Sequence, residues 1–236
     1  MKQILGAMRK AIKDFDMIQE GDKIVVGISG GKDSMALLYA LSLYRRFSPV
    51  KYELTAVTLS MGFENFDVTP VRGFCEEIDV PYKVIETEIA KIVFDIRKES
   101  NPCALCAKMR RGALHDEVNN LGYNKIALGH HADDAIETMF LSMLYEGRVN
   151  TFKPVTHLTR KNIYSIRPLI YVKEQQITNA IEKHNIPVIK SPCPMDKNTK
   201  REEVKQLLNE IYKTVPMGRD RLLKAIKNKD NFCLWW

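Results

Sequence analysis

Lys23-Ile24-Val25-Val26-Gly27-Ile28-Ser29-Gly30-Gly31-Lys32-Asp33-Ser34 is the stretch whose reading decides the fold. Its first half is a short β-branched apolar run, which reads as a buried strand. Its second half is small, glycine-rich and polar. Met35-Ala36-Leu37-Leu38-Tyr39-Ala40-Leu41 follows and is a good helix former. Strand, glycine-rich turn and helix make a phosphate cradle: glycines let the backbone approach an anion, and the N–H groups of the turn and first helical turn point at it. Lys32 supplies a mobile positive charge, Ser29 and Ser34 supply hydroxyls, and Asp33 can hold Mg²⁺ or cap the helix. The spacing is not that of a Walker A loop, which would need Gly and Ser or Thr where Val26 and Asp33 stand, and the Rossmann glycine spacing is missing too. The plain alternative is a glycine-rich turn without a ligand. It leaves Lys32 and Asp33 with little structural use in so tight a turn.

Outward from this stretch, strands and helices alternate. A leading amphipathic helix is expected over 1–20, with Ile4, Leu5, Met8, Ile12 and Phe15 interleaved among charges. Further strands are expected at 54–59, 82–87 and 125–129, with short ones between 148 and 168 ending at Ile166-Arg167-Pro168-Leu169. Helices are expected from 33 to about 46, from Pro70, from 103 to 119, from 132 to about 146, over 173–184, and over 201–212 and 218–227. The alternation implies one α/β domain over 1–236, a doubly wound parallel sheet with an N-terminal helix and a helical tail from about 200 to 236. Ligands then bind at the carboxyl ends of the strands, where the strand order reverses.

The chain has 236 residues, a net charge of +7 and five cysteines. That charge favours a polyanionic partner. No apolar run approaches the ~20 residues of a membrane span, and the N-terminus lacks a signal-peptide core. A cytoplasmic protein is expected, with its thiols reduced. An odd cysteine count there leaves metal binding or redox chemistry open.

Three constellations carry chemistry. Gly129-His130-His131-Ala132-Asp133-Asp134 follows a strand and opens a helix, so it lies at the same edge as the phosphate turn. A carboxylate there can hold Mg²⁺ or simply cap the helix. Cys103-Ala104-Leu105-Cys106 puts two thiols on one face of a first helical turn, where the helix N-terminus lowers thiol pKa. Cys193, boxed by Pro192 and Pro194, is a candidate third ligand. Zinc would need a fourth, whereas three thiolates suit a 4Fe–4S cluster with one iron left open. A redox or persulfide pair is the rival. Cys75 falls on an apolar helix face and reads as core. Cys233 sits in an apolar tail without an assigned role. Lys108, Arg110 and Arg111 follow the CxxC within two turns and would hold RNA phosphates near the chemistry, unless they are only a solvated face. Arg219, Arg221, Lys224, Lys227 and Lys229 form a second basic cluster that reads better as a solvated face.

Ser29-Gly30-Gly31-Lys32-Asp33-Ser34 resembles the PP-loop of the N-type ATP pyrophosphatases. With Cys103-x-x-Cys106, Met109-Arg110-Arg111-Gly112, Lys125 to His131, Ile166 to Leu169 and the Pro-Cys loop, the order and spacing resemble the tRNA 2-thiocytidine synthetases over roughly residues 10–205. The resemblance implies an iron–sulfur, ATP-dependent sulfurtransferase acting on cytidine 32 of the tRNA anticodon loop. It implies that Ser29, Gly30, Gly31, Lys32, Asp33 and Ser34 bind ATP together with Thr58, Gly129 and His130. Lys32, Asp33 and Asp134 would act in catalysis, with Mg²⁺. Cys103, Cys106 and Cys193 would hold the 4Fe–4S cluster, and Lys108, Arg110 and Arg111 would meet tRNA. A cysteine desulfurase or free sulfide is a candidate sulfur donor, no membrane is expected as a partner, and the oligomeric state stays open, with a homodimer among the candidates. Two departures are a shorter tail and the lack of a second cysteine near Cys193. The alternatives are a PP-loop ligase or desulfidase acting on another base or a small molecule, and a non-catalytic nucleotide-binding regulator.

Overall fold

The computed structural model describes residues 1–63, 66–98, 102–190, 192–193 and 199–228. Ser191, Pro194, Lys229 and the Cys233 tail lie outside the described residues. The strands are β1 (Asp22–Ile28), β2 (Tyr52–Ser60), β3 (Tyr82–Glu86), β4 (Lys125–Ala127), β5 (Val155–Leu158) and β6 (Ile163–Ile166). The helices are α1 (Lys2–Asp14), α2 (Lys32–Arg45), α3 (Thr69–Glu77), α4 (Pro102–Asn120), α5 (Ala132–Glu146), α6 (Glu174–Lys183), α7 (Lys200–Thr214) and α8 (Gly218–Lys227). The amphipathic stretch before α4 forms a π-helical segment over Lys91–Arg97.

One sheet holds the six strands in the order β3-β2-β1-β4-β6-β5. β1 pairs in parallel with β2 and β4, β2 with β3, and β4 with β6. Only the edge strand β5 runs antiparallel, against β6. The expectation of a parallel sheet holds for the other five strands. β5 departs because only a tight turn through Asn162, at φ +50°, joins it to β6. So short a connection makes a hairpin, whereas a parallel partner needs a crossover. From β1 the order runs outward through β2 and β3, then restarts on the other side with β4. The reversal therefore lies between β1 and β4.

Both faces of the sheet are covered. Ile24, Val26 and Ile28 of β1 and Leu54 and Ala56 of β2 pack with α1, α2, α3 and α6. Val25, Val57, Ile126 and Ile163 face the other way, onto Leu114 and Val118 of α4. Burial on both sides explains why the central strand reads as a nearly continuous apolar run rather than an alternating one. α1 ends at Asp14, short of the expected 20. Asp16 turns left-handed at φ +48°, and the chain then drops Met17 and Ile18 into the core before entering β1. No described helix is long and apolar enough to cross a membrane.

A buried ion pair pins the amino end of the sheet beneath the reversal. Lys125 Nζ lies 2.6 Å from Asp22 Oδ2, and both residues are almost wholly buried. Lys125 also donates to the Met17 carbonyl at 2.9 Å, and Asn124 Nδ2 donates to Asp22 Oδ1 at 2.7 Å. The pair thus ties the α1–β1 connection, β1 and β4 together. Removing one partner strands a buried charge. Lys125→Met or Asp22→Asn is expected to cost about 3–5 kcal/mol in denaturant unfolding. A cost under about 1 kcal/mol would mean that the pair does not hold the strands in place.

Candidate functional site

β1 ends at Ile28, Gly30 takes φ +81°, and α2 begins at Lys32. A closed circuit of hydrogen bonds braces this turn from inside. Ser34 Oγ donates to the Gly31 carbonyl at 2.9 Å and accepts from the Ser29 N–H at 3.2 Å. The Ser29 and Ser34 hydroxyls meet at 3.2 Å, and the Gly31 N–H reaches Ser29 Oγ at 3.3 Å. The two serines, read from sequence as hydroxyls for a ligand, here shape the turn itself. The opening amides of α2 have no carbonyl within their own helix to bond.

Two neighbours lie against this turn. A Cβ on Gly129 would stand 2.9 Å from the Ser34 nitrogen and 3.0 Å from the Asp33 carbonyl carbon, so only glycine lets the β4–α5 connection come this close. A Cβ on Gly30 would stand 3.0 Å from Ile189 Cβ, and the Ile189 N–H donates to the Gly30 carbonyl at 2.8 Å. Ile189, four residues before Cys193, therefore rests on the phosphate turn.

Charges crowd the same place. Lys32 Nζ lies 3.0 Å from Asp33 Oδ1 and 3.1 Å from Glu174 Oε1. Burial pulls the Lys32 ammonium down, but the two carboxylates outweigh it and hold its pKa above the ordinary lysine value. Burial pushes the Glu174 carboxyl up, yet Lys205 and Lys32 overcome this and bring it to about 2. His131 is buried beneath the cluster, its Nε2 lying 3.5 Å from both Asp33 Oδ1 and Asp134 Oδ2. Asp134 is the third residue of α5 and closes a capping box with His131, accepting that residue's backbone N–H at 2.9 Å. Its other oxygen lies 3.8 Å from Arg201. Asp133 serves packing: it accepts the Glu174 N–H at 2.7 Å and pairs with Arg219 at 2.9 Å.

The His130 ring lies 5.0 Å from the Phe152 ring, and its Nδ1 is buried without a hydrogen-bond partner. Burial drives its pKa down to about 4, with Asp134 opposing and Arg167 and Arg201 adding to the fall. Thr58 is buried in β2 near the Tyr82 phenol, so it has no side-chain surface for a ligand. Ser60 and Met61, at the open end of the same strand, are partly exposed.

The thiols gather above the end of β2. Cys106 Sγ lies 3.8 Å from the Met61 sulfur. Burial raises the Cys106 thiol, Arg110 opposes, and the nearby Cys193 and Cys103 add to the rise. The helix start was expected to lower this thiol, and burial overrides it. Cys103 is exposed, and Cys106 and Cys193 are half-buried. Among the described residues no three His, Cys, Asp or Glu side chains already stand as a metal site. Three thiols are nonetheless the donor set of a 4Fe–4S cluster with one open iron. Cys75 is fully buried, and burial lifts its thiol to about 11, as a core residue should show.

Lys108, Arg110 and Arg111 are exposed along α4. In the second basic cluster, Arg219 is spent on Asp133 and Lys227 lies 3.9 Å from the centre of the Tyr171 ring. Sequence reasoning missed Glu174, Arg201 and Lys205. Arg201 and Lys205 stand four apart on one helix face, a signal of a basic surface but not of a place at the phosphate turn. Glu174 gave none.

A family model for the PP-loop domain matches residues 3–211. A tRNA-cytidine(32) 2-sulfurtransferase from Pelobacter propionicus is 36% identical over 96% of this chain and 86% of its own length. The chain belongs to the tRNA-cytidine(32) 2-sulfurtransferase family of PP-loop proteins. A family member from Vibrio cholerae is 36% identical over 96% of this chain and 74% of its own. Among solved structures, the U34-tRNA thiolase NcsA from Methanococcus maripaludis, with its 4Fe–4S cluster, matches with a TM-score of 0.78 and 26% identity. That match covers 94% of this chain and 77% of the thiolase. A phosphoadenylyl-sulfate reductase from Candida auris, in a phosphate complex, matches over 77% of this chain and 81% of its own. Its TM-score of 0.50 and 14% identity make it a likeness of fold alone.

Two outcomes follow from this geometry. Gly129→Ala forces a methyl into backbone, which cannot rotate away, so thermal melting should show a loss of about 1–3 kcal/mol and ATP affinity should fall with it. An unchanged melt would show that the approach is not tight. The lowered His130 pKa means that the unfolded chain binds more protons between about pH 6.5 and 4, so stability falls as the pH falls through that window. Denaturant unfolding at pH 7, 5.5 and 4.5 should show His130→Asn losing less stability than the wild type on acidification. Parallel losses would place His130 in contact with water.

Proposed function

We propose that this chain, as a single PP-loop ATP pyrophosphatase domain, thiolates tRNA: it adenylates the C2 oxygen of cytidine 32 in the anticodon loop and replaces that oxygen with sulfur. The observation that carries the reading is one edge of the sheet bearing both the phosphate turn and the thiols of Cys103, Cys106 and Cys193. The names of its relatives support the same substrate and reaction.

The pyrophosphate end of ATP sits on Gly30 and Gly31, against the first amides of α2 and the Lys32 ammonium. Ser29 and Ser34 keep the turn in shape, and Gly129 lets His130 and α5 close on it. Asp33 and Asp134 are the residues that would hold Mg²⁺, which when bound offsets the phosphate charge. The base oxygen attacks the α-phosphorus and the bond to pyrophosphate breaks. Adenylation turns a poor leaving group into AMP, which departs as sulfur bonds to C2. Cys103, Cys106 and Cys193 would hold the 4Fe–4S cluster, which when bound supplies an open iron for the sulfur. Their thiols must lose protons to ligate iron, so occupancy should rise with pH. Lys108, Arg110 and Arg111 bind tRNA phosphates, and Arg110 lies one helical turn from Cys106. Anticodon-loop bases are unpaired and can be splayed into a pocket.

The sulfur donor in this reading is a cysteine desulfurase or free sulfide, and the protein works in the cytoplasm. A homodimer is the proposed assembly; the exposed Met143, Leu144 and Tyr145 at the end of α5 support it.

Protein purified without oxygen, given ATP, Mg²⁺ and tRNA, should release AMP and pyrophosphate and yield 2-thiocytidine by nucleoside mass spectrometry. Cys103→Ala, Cys106→Ala and Cys193→Ala should each lose both iron and thiolation, while Cys75→Ala keeps both. Active wild-type protein without iron would replace the cluster by a persulfide route, and release of ADP would overturn the pyrophosphatase reading. The double change Arg110→Glu/Arg111→Glu should weaken binding to most tRNAs alike, with a shallower salt dependence.

A further inference from the structure

Two lysines close on one carboxylate oxygen beside the phosphate turn. Glu174 Oε1 lies 3.1 Å from Lys32 Nζ and 2.7 Å from Lys205 Nζ. The three residues come from α6, α2 and α7, and nothing in their sequence positions joins them. Glu174 is fixed at its backbone, where its N–H donates to Asp133 Oδ2. Yet the side chains of Lys32, Glu174 and Lys205 remain 31%, 23% and 34% exposed, so the cluster stands open to solvent. An anionic oxygen between two ammonium groups, next to a glycine-rich turn, is where a phosphoryl oxygen would sit.

We propose that Glu174 is an internal substitute for a phosphoryl group, and that Lys205 is a second phosphate-binding lysine which Glu174 keeps in position until the diphosphate end of ATP arrives. The inference rests on the nucleotide reading of the phosphate turn. A diphosphate on the turn brings negative charge against Asp33 and Glu174 together. Asp33 would hold Mg²⁺, which when bound offsets one repulsion, and the other drives the Glu174 carboxylate off Lys32. Lys205 then exchanges one anion for another. A flexible ammonium with three donors suits that exchange better than a planar guanidinium.

Anchoring of α7 does not account for Lys205. α7 is already fixed by Arg201, which lies 3.1 Å from both Glu137 Oε2 and Thr138 Oγ1, and by Val204 and Leu208 packed with Ile136. A lysine aimed at the edge of the phosphate turn adds charge where the fold does not need it.

Calorimetric titration of the full chain with inorganic pyrophosphate and Mg²⁺, without RNA, tests the assignment. Lys205→Met should weaken pyrophosphate binding about tenfold, the loss of one hydrogen bond between charged groups, and Lys205→Arg should recover part of it. Glu174→Gln should tighten binding several-fold, because the competing internal anion is gone. The double variant Glu174→Gln/Lys205→Met separates direct from indirect action. If Lys205 touches phosphate, the double variant binds about tenfold more weakly than Glu174→Gln alone. If Lys205 acts only by holding Glu174, the two bind alike and the proposal is overturned. Should Lys32→Ala abolish binding while neither Glu174→Gln nor Lys205→Met changes it, the nucleotide reading stands and this inference falls. Should Lys32→Ala change nothing either, both fall. Melting curves accompany each variant, and Lys205→Gln replaces Lys205→Met if the latter fails to fold.

Discussion

The backbone of Gly129 lies against the first turn of α2 at a distance no side chain would allow. The site depends on that approach. β1 and β4 are neighbours at the point where the strand order reverses, so the connections leaving them face one another across a narrow crevice. Close packing there brings the start of α5 to the start of α2, and with it His131 and Asp134 to Asp33. Below, the Asp22–Lys125 pair fixes the same two strands at their amino ends. The crevice is thus set from both ends of the strands that form it.

Three helices, α2, α5 and α6, present their amino ends to this place, and each carries its own carboxylate in the first turn: Asp33, Asp133 with Asp134, and Glu174. Helix starts carry partial positive charge and favour anions. Without a bound anion, the carboxylates and the basic residues Lys32, Arg201, Lys205 and Arg219 neutralise one another. The result is a site built to hold charge that need not collapse when empty.

Much of this was legible in the sequence, for a physical reason. A phosphate turn and a thiol pair need particular residue types within a few positions of one another, so they leave local signatures such as Ser29 to Ser34 and Cys103 to Cys106. The strand and helix order was legible because burial on both sheet faces writes itself as apolar runs. What was not legible depends on contact across the chain. Glu174 and Lys205 are residue types found on any surface, and only folding brings them to Lys32. The inward turn of the Ser29 and Ser34 hydroxyls is a matter of rotamers. The Cys106 thiol moved opposite to expectation because a helix-start argument takes no account of burial. β5 ran against its neighbour because the length of its turn, not its composition, sets direction.

The hydrogen bond from the Ile189 N–H to the Gly30 carbonyl makes the phosphate turn a mechanical anchor as well as a binding surface. Cys193 follows Ile189 by four residues, and α7, whose Lys205 meets Glu174, begins at Lys200. Cys193 thus falls in sequence between two points fastened around the phosphate turn, the Ile189–Gly30 hydrogen bond and the Lys205–Glu174 pair, so one spot holds the chain on both sides of that thiol.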